Sequence, residues 1–278
     1  MGFSAERYPL PGNRERNKPL MEAIRWIGRV SIIFLESLGF FSIFLLKSAR
    51  GVFRGTWSRA ELSKQLERVG VSSILVVSIT SAFTGMVMAV QTLDQFVRFG
   101  ATNYIGGVIG LSMVREMSPV LTGLVVTGRV GAAMAAEISS MRITEQLDAL
   151  RAFGLDDVAF VGSPRLFASL VMLPVLTIYS FVIGIGGGYL FVVTRGIHGT
   201  VFLKSLEALL EPSDIFGGIL KAAVFGIIIS TTACAEGFRA QNGAIGVGEA
   251  TTRAVVWSNM LILTFNYLLS TLLFGGAR

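Results

Sequence analysis

The feature that most constrains this chain is a long apolar segment between Glu116 and Glu137. Arg129 carries the one charge inside it, and small residues such as glycine and alanine fill much of the rest. As an α-helix this interval would span roughly 30 Å, about the thickness of the hydrocarbon core of a bilayer. The sequence therefore predicts a helix that crosses a membrane and has an acidic residue near each face.

The composition agrees with a membrane protein. Hydrophobic residues make up 52% of the 278 residues, charged residues make up 15%, and the mean hydropathy is +0.66, whereas a soluble domain carries about 25% charged residues. Half of the 24 basic residues precede Val69, so the net charge of +6 indicates membrane orientation rather than nucleic-acid binding. The single cysteine and single histidine, Cys234 and His198, exclude an intrachain disulfide and argue against a His/Cys metal cluster.

Five apolar segments approach or exceed the length needed to cross a bilayer. They are predicted at about residues 69–90, 111–138, 165–193, 215–235 and 254–274, with polar connections at 91–110, 139–164, 194–211 and 236–252. Ser163 and Pro164 have the pattern of a helix start, which places the beginning of the third segment. Pro119 predicts a kink or a broken turn early in the second segment.

The first 54 residues precede these segments and are rich in basic residues. Residues 1–20 contain three prolines and predict a flexible cytoplasmic tail. Residues 21–54 are either a short membrane span or an amphipathic helix on the cytoplasmic face, and we favour the interfacial helix because a span would place basic residues on both faces. Residues 55–278 then form the transmembrane domain, with residues 139–164 and 236–252 inside and the C-terminus outside.

A short amphipathic helix is predicted after the second segment. Ile143, Leu147 and Leu150 recur at helical spacing and form an apolar stripe. Thr144 is the predicted N-cap, and Gly154 is placed to end the helix in a Schellman motif. The helix either packs on its own bundle or docks in a groove of a partner.

The second segment and its amphipathic helix also carry a family resemblance. The run REMSPVLTGLVVTGRVGAAMAAEISSMRITEQLDALRAFGLDD, from residue 115 to residue 157, resembles the signature of MlaE-type permeases, also called the YrbE family. GEATTRAVV at residues 248–256 and LLSTLLFGG near the C-terminus resemble the end of the same family. The similarity covers nearly everything from about Leu66 onward.

The resemblance implies a function and a set of partners. It implies the permease subunit of an ATP-driven transporter that moves phospholipids between inner and outer membranes and so maintains outer-membrane lipid asymmetry. The implied partners are a second copy of the chain, two cytoplasmic ABC ATPase subunits that bind ATP and Mg, an outer MCE-domain protein and a small cytoplasmic regulatory subunit. The chain itself then binds phospholipid but neither a cofactor nor a metal, and performs no catalysis. The implied location is the inner membrane of a double-membraned bacterium, ahead of the chloroplast inner envelope.

The resemblance also assigns roles to residues. It makes the amphipathic segment the coupling helix that docks into the ATPase, so the predicted fold is an all-α integral membrane protein with five transmembrane helices, an N-terminal interfacial helix and a cytoplasmic coupling helix. The coupling residues are Ile143, Thr144, Glu145, Gln146, Leu147, Asp148, Leu150 and Arg151. Separately from the resemblance, their charge or their position near the outer ends of the spans predicts that a lipid cavity is lined by Arg115, Glu116, Pro119, Met86, Val90 and Gln91.

The charged residues of the segments have structural interpretations as well. Arg115 and Glu116 either line or gate an outward-opening lipid cavity or anchor the helix to outer loops. Arg129, at mid-span, needs a carboxylate, a carbonyl or water; we favour a structural role that holds helices together, with Glu236 as one candidate partner. Arg253 is interpreted as a structural charge that marks the inner interface.

Two other classes of protein explain less of the sequence. A secondary transporter or channel for another hydrophobic substrate would account for the segments, but no internal repeat of the kind many such transporters show is visible. An intramembrane enzyme would need a nucleophile and a base, and no such set is evident. No G-x-x-x-x-G-K-[ST] motif occurs, so the chain lacks the usual phosphate cradle of an ATPase.

Overall fold

The fold is given by a computed structural model that describes residues 39–55, 57–241 and 243–275. Packing divides the chain into two units, Met1–Ile43 and Phe44–Arg278. The predicted tail at 1–20 and most of the predicted interfacial helix at 21–54 lie outside the described residues. In the first unit the described residues, 39–43, are helical, and the second unit contains everything discussed below.

The described residues are almost entirely helical, and they include no β-strand. Five helical stretches are long and apolar enough to cross a membrane: Arg59–Arg98, Thr102–Ile143, Asp157–Thr194, Pro212–Phe238 and Gly243–Phe274. The shortest has 27 residues, more than the ~20 that a bilayer requires. The prediction of an all-α integral membrane protein with five spanning helices is confirmed.

The helices are numbered along the chain from the first described one. In the second unit they are α1 (44–54), α2 (Arg59–Val69), α3 (Ile74–Arg98), α4 (Ile105–Ser112), α5 (Ser118–Val126), α6 (Ala132–Ile143), α7 (Gln146–Ala152), α8 (Asp157–Thr194), α9 (Gly199–Leu209), α10 (Pro212–Phe238) and α11 (Gly243–Phe274). A 3-10 turn, Val71–Ser73, joins α2 to α3. The first span therefore consists of α2 and α3.

The second span is one helical stretch interrupted by two wider turns. π-helical segments at Met113–Met117 and Thr127–Gly131 join α4 to α5 and α5 to α6. Pro119 lies in the first turn of α5, immediately after the first of these segments. The disturbance predicted at this proline is therefore a widened turn, which fits a residue that has no N–H to continue an α-helical hydrogen-bond ladder.

The bundle is held together by close approach of its longest helices. α3 packs most extensively on α8, and α10 packs against α8, α11 and α6. A Cβ on Gly85 would overlap the backbone of Gly184, and the hydroxyls of Ser81 and Ser180 are hydrogen-bonded at 2.7 Å. Small residues thus let α3 and α8 approach each other, as in other membrane helix pairs.

Two predicted connections are largely helical. α3 continues to Arg98 and ends before Gly100, whose φ is +66°, and α4 begins at Ile105, so most of the predicted connection at 91–110 is helical. The predicted connection at 194–211 contains α9. Charged residues indicated connections in both places. A helix that extends beyond an apolar span into water keeps its charged side chains hydrated, so charge does not distinguish such a helix from a loop.

Two helix starts also differ from the prediction. α8 begins at Asp157, where the Asp156 carboxylate caps it by accepting a 3.2 Å hydrogen bond from the N–H of Ala159, so Pro164 lies inside the helix. The start predicted at Ser163 and Pro164 is therefore wrong, because the capping residue Asp156 lies about two turns earlier. α11 begins at Gly243, so most of the predicted loop at 236–252 is helical too.

Candidate functional site

An ion pair between a buried lysine and a partly buried glutamate joins three helices near one end of the bundle. Nζ of Lys221, on α10, lies 2.8 Å from Oε1 of Glu116, and Lys221 has no exposed surface. Two side chains of α11 complete the cluster, since Asn266 Nδ2 donates to Glu116 at 2.9 Å and Ser270 Oγ donates at 2.8 Å. Lys221 also donates to Ser270 at 2.7 Å. We call these four residues the Glu116 cluster.

A second ion pair lies beside the Glu116 cluster. The Arg115 guanidinium donates to Oδ1 of Asp214 through Nε at 2.8 Å and lies 2.7 Å from it through Nη2. Asp214 is buried in the first turn of α10, where it also takes part in a capping box with Glu211. The ring centroid of Phe274 lies 4.6 Å from the Arg115 guanidinium and 5.1 Å from Lys221 Nζ, so the same aromatic ring attracts both cations.

Pro119 explains how Lys221 is held. In a regular α-helix the N–H of residue 119 would donate to the carbonyl of residue 115. Proline has no N–H, and Lys221 Nζ donates to the Arg115 carbonyl at 2.8 Å. The proline and the widened turn before it thus leave a backbone acceptor available to the buried lysine.

The predicted cavity residues therefore separate into two groups. Arg115 and Glu116 point to different partners, as expected for neighbours about 100° apart on a helix. Met86, Val90 and Gln91 lie on α3, and no described hydrogen bond or ion pair joins them to the Glu116 cluster. Val90 is 43% exposed in the single chain, so a lining role for these three residues stays a prediction.

A cavity of about 550 Å³ adjoins the Arg115–Asp214 pair. Its lining residues come from the second span, the start of α10 and the end of α11: Arg115, Ser213, Asp214, Phe216, Gly217, Leu272, Leu273 and Phe274. Arg115, Asp214 and Ser213 make one part of the lining polar, and Phe216, Leu272, Leu273 and Phe274 make the other part apolar. Such a cavity suits a ligand with one anionic group and an apolar body.

Sequence reasoning did not identify four residues of this site: Asp214, Lys221, Asn266 and Ser270. A signal for Lys221 was present, since it is the single charged residue between Asp214 and Glu236 in a predicted span. An ionisable residue inside a span is a functional candidate by default. Asn266 and Ser270 have no comparable signal, because their spacing of one helical turn is common in membrane helices.

The opposite end of the second span carries another charged group. Glu137 accepts hydrogen bonds from Arg68 of α2 and from Arg165 of α8, each at 2.9 Å. Arg165 is 4% exposed and also donates to the carbonyl of Val161 at 2.7 Å. These contacts tie α2, α6 and α8 together and leave Glu137 bonded to both arginines.

Arg129 has a different partner from the one considered in the sequence. It donates to the carbonyl of Ser72 and, at 3.3 Å, to the hydroxyl of Ser73. Glu236 instead lies 3.0 Å from Arg253 and 3.7 Å from Arg239, so the suggested Arg129–Glu236 pair is wrong. Arg129 therefore obtains the carbonyl that a cation inside a span needs from Ser72, in the 3-10 turn before α3.

The ion pair between Arg253 and Glu236 gives Arg253 a structural position. Arg253 Nε donates to Oε2 of Glu236 at 3.0 Å and so joins α11 to α10. Its Nη1 also lies 3.4 Å from Glu249 on its own helix. Arg253 lies within α11 rather than at the beginning of a span.

The predicted coupling helix is short and firmly bounded. α7 begins at Gln146, and Thr144 instead ends α6, so the N-cap predicted at Thr144 is wrong. The chain turns between the two helices at Glu145, whose φ is 60°. The predicted Schellman motif is present, because the N–H of Leu155 donates to the carbonyl of Leu150 at 3.1 Å and Gly154 has a φ of +77°.

The apolar stripe of this segment faces its own bundle. Leu147 is fully buried, while Ile143 and Leu150 are partly buried. The prediction that an apolar stripe through Leu147 is free to dock on a partner is therefore wrong. The hydrophobic effect already buries the stripe within the chain. The outward surface of α7 carries Gln146, Asp148 and other polar or small residues.

Ion pairs fix α7 against the start of α8. Arg151 Nη2 lies 2.7 Å from the buried carboxylate of Asp157, and this hydrogen bond raises the pKa of Arg151. Asp148 accepts from Arg142 at 2.9 Å and from Arg151 at 3.2 Å. Phe153, just after α7, is 82% exposed. The segment is thus a short helix anchored by ion pairs, with an exposed aromatic residue at its end.

The chain forms a bundle of five predicted spans with ion pairs inside it, and a short helix, α7, lies between the second and third spans. This is the architecture of a multi-pass membrane permease. The model of the family described as Permease MlaE matches residues 62–272. The chain belongs to the MlaE permease family.

Relatives agree with that assignment. The chain is 41% identical over 256 residues to a probable ABC transporter permease protein of Rickettsia prowazekii, covering 92% of this chain and 99% of the relative. It is 32% identical over 259 residues to the intermembrane phospholipid transport system permease protein MlaE of Haemophilus influenzae, with coverage of 92% and 99%. Over 215 residues it is 41% identical to the chloroplastic protein TRIGALACTOSYLDIACYLGLYCEROL 1 of Arabidopsis thaliana, covering 77% of this chain and 61% of that protein. The chain is thus an ABC transporter permease, a membrane subunit.

Proposed function

We propose that the chain is the permease of an ATP-driven transporter that moves phospholipids between the inner and outer membranes of a double-membraned bacterium and maintains outer-membrane lipid asymmetry. One relative is named for intermembrane phospholipid transport. The observation that carries the proposal is the 550 Å³ cavity, which has the Arg115–Asp214 pair on one wall and apolar side chains on the others.

The chemistry of this cavity fits a phospholipid. The Arg115 side chain is 29% exposed, so it is able to contact a phosphate in addition to Asp214; a guanidinium matches phosphate oxygens in a bidentate geometry. Phe216 and Leu272 provide apolar surface for acyl chains. Lys221 has no exposed surface, and its role is to position Glu116 rather than to touch the lipid.

The Glu116 cluster supplies an element with two states. It joins the second span to α10 and α11 through three hydrogen-bonded side chains around one carboxylate. Opening the bundle at this end would separate Glu116 from Lys221, and an unpaired charge at this depth is costly. A lipid that binds one arrangement better than the other would shift the balance between them.

The ATPase partner implied by an ABC permease would bind at α7. ATP and Mg would be held by that separate cytoplasmic subunit, and hydrolysis would occur there. The exposed aromatic Phe153, at the end of a helix fixed by ion pairs, is suited to enter a groove and transmit a push. Large aromatic anchors often dominate such interfaces.

Replacement of Phe153 by aspartate tests that contact. We expect Phe153→Asp to lower the affinity for the ATPase at least about tenfold. The variant lacks the aromatic anchor, and its new carboxylate would have to lose water when the ATPase binds. Phe99→Asp is the matched control, since Phe99 is 83% exposed on the connection between the first two spans. Co-purification of the ATPase with each variant gives the answer. Equal recovery with both variants would move the docking site away from α7.

A second copy of the chain would complete the bundle along α11. In the most apolar window of α11 only 11% of the residues are buried, against 28–56% in the other four spans. Trp257, Met260 and Leu263 are among its exposed side chains. The outer MCE-domain protein and the small regulatory subunit belong to the same proposed assembly, which would lie in the inner membrane with α7 in the cytoplasm.

Disulfide crosslinking tests the proposed dimer. We expect Met260→Cys to give a crosslinked dimer in native membranes, because the residue is 54% exposed on α11. Cys234 is the single native cysteine and is buried, so it adds no background. Val182→Cys is the control, since Val182 is 67% exposed on α8. Crosslinking at Val182 and none along α11 would contradict this arrangement.

Reconstitution tests the function as a whole. The chain would be placed in proteoliposomes with its ATPase and MCE-domain partner, and transfer of a fluorescent phospholipid would be followed. We expect transfer that requires ATP and the ATPase. Transfer that persists without the ATPase would instead favour a secondary transporter or channel.

A further inference from the structure

A second cavity, of about 360 Å³, lies near the other end of the second span. Its polar lining residues are Gln65, Arg68, Ser72, Arg129 and Glu137, and we call it the arginine cavity. Arg129 follows Glu116 by thirteen residues, or roughly 20 Å along a helix. The arginine cavity is therefore separate from the lipid cavity proposed above.

The arginine cavity has an excess of positive charge. Arg68 and Arg129 line it, and Glu137 is the one carboxylate in its lining. Glu137 is also bonded to Arg165 through the same oxygen, Oε2, that bonds Arg68, so one carboxylate pairs with two arginines before Arg129 is counted. Glu61 lies nearby, but its described partner is the amide of Gln65, at 2.8 Å.

Arg129 retains unused donors. Both of its hydrogen bonds, to Ser72 and Ser73, come from Nη1, while Nε and Nη2 donate to no described residue. Among the described ion pairs, none contains Arg129. A guanidinium has five N–H donors and no way to lose its charge. A cation in a membrane span requires a counter-charge or water, and in this position the protein supplies neutral oxygens.

The backbone at Arg129 matches the backbone at the lipid cavity. Arg129 lies in the π-helical segment Thr127–Gly131, as Arg115 and Glu116 lie in Met113–Met117. π-helical turns inside α-helices occur often at functional sites. The second span thus carries two such turns, and each presents a cation to a cavity.

The position of the arginine cavity indicates its ligand. Arg129 bonds the turn just before α3, and Glu137 lies two turns beyond it toward α7. Glu137 is predicted near one face of the membrane, so the cavity extends from the level of the lipid headgroups to Arg129, about 12 Å deeper along the helix. We propose that the arginine cavity binds the phosphate group of a phospholipid from the adjacent leaflet through Arg68 and Arg129. The inference rests on the proposed function for the lipid nature of the ligand.

Lipid retention by the purified full-length chain, without ATPase or outer partner, tests the site. Native mass spectrometry would compare dioleoylphosphatidylglycerol with dioleoylglycerol, which has the same chains and no phosphate. We expect preferential retention of the phospholipid and an approximately tenfold loss of affinity in Arg129→Gln, as for removal of one charged hydrogen-bond donor. Arg195→Gln, which removes an exposed arginine near Phe191, is the matched control and retains the lipid.

Two further arms complete the test. Ala133→Trp would fill the cavity from an exposed position in its wall and should also reduce retention, even if Arg129→Gln fails to fold. Displacement of the lipid by millimolar inorganic phosphate would assign recognition to the phosphate alone, and resistance would assign it to the whole headgroup; either result supports the site. Equal retention of both lipids, or normal retention by Ala133→Trp, would overturn it. Because no transport is measured, failure here is distinct from failure of the transport proposal.

Discussion

Glu116→Gln is expected to abolish most phospholipid transfer and to destabilise the bundle, because it leaves the buried ammonium of Lys221 without its carboxylate. Removing one partner of a buried ion pair costs about 3–5 kcal/mol, whereas replacing both partners by apolar groups is often neutral. The amide keeps the size of the side chain, but its single oxygen can accept from Asn266 or from Ser270, not from both, so the variant loses the charge and one hydrogen-bond acceptor.

The matched control is the double variant Glu116→Gln, Lys221→Met. It removes both charges, and we expect thermal stability in detergent to return to near the wild-type value. Transfer of fluorescent phospholipid should remain low, because the element that distinguishes two arrangements of α10 and α11 is gone. Wild-type transfer by the single variant would show that the cluster has no part in transport. Restored transfer in the double variant would show that the cluster contributes only to the stability of the bundle.

Leu147→Asp is expected to prevent stable folding rather than to uncouple a folded permease. Leu147 is fully buried between α7 and the bundle, so an aspartate there would be an unpaired buried charge, a change that belongs to the most destabilising class, more than about 4 kcal/mol. The measurement is the amount of membrane-inserted protein and its thermal stability in detergent.

Ala149→Asp is the matched control for that substitution. Ala149 is exposed on the same helix two residues away, and the same charge there should leave the amount and stability of the protein near wild type. A normally folded Leu147→Asp chain that fails only to bind its ATPase would restore the apolar stripe as the docking surface.

The sequence predicted the helical fold well because a long apolar segment in a bilayer satisfies its backbone hydrogen bonds by forming a helix. It predicted the ends of the helices poorly, since charged residues such as Asp94 and Arg98 are compatible with both a loop and a helix extending into water. The capping carboxylate Asp156 was overlooked in favour of Pro164, which the helix accommodates in its interior.

The candidate site was predicted only on the helix that carries the long sequence signature. Arg115 and Glu116 were identified, but their partners lie about 100 and 150 residues away along the chain, and single-sequence patterns give no register between distant helices. The burial of Leu147 was missed for a related reason. An amphipathic stripe shows that one face of a helix will be covered, without showing whether the cover comes from its own chain or from another.

The two π-helical segments of the second span have a consequence for movement. A π turn is an α-helix with one residue inserted, so conversion to an α turn would rotate one side of the helix by about 100° relative to the other and shift it by about 1.5 Å. Loss of the turn at Met113–Met117 would therefore change the face that Glu116 presents without moving Glu137 away from Arg68 and Arg165. The end of the span that carries Glu116 would then rotate in a fixed step, while the end that carries Glu137 stays held by the two arginines.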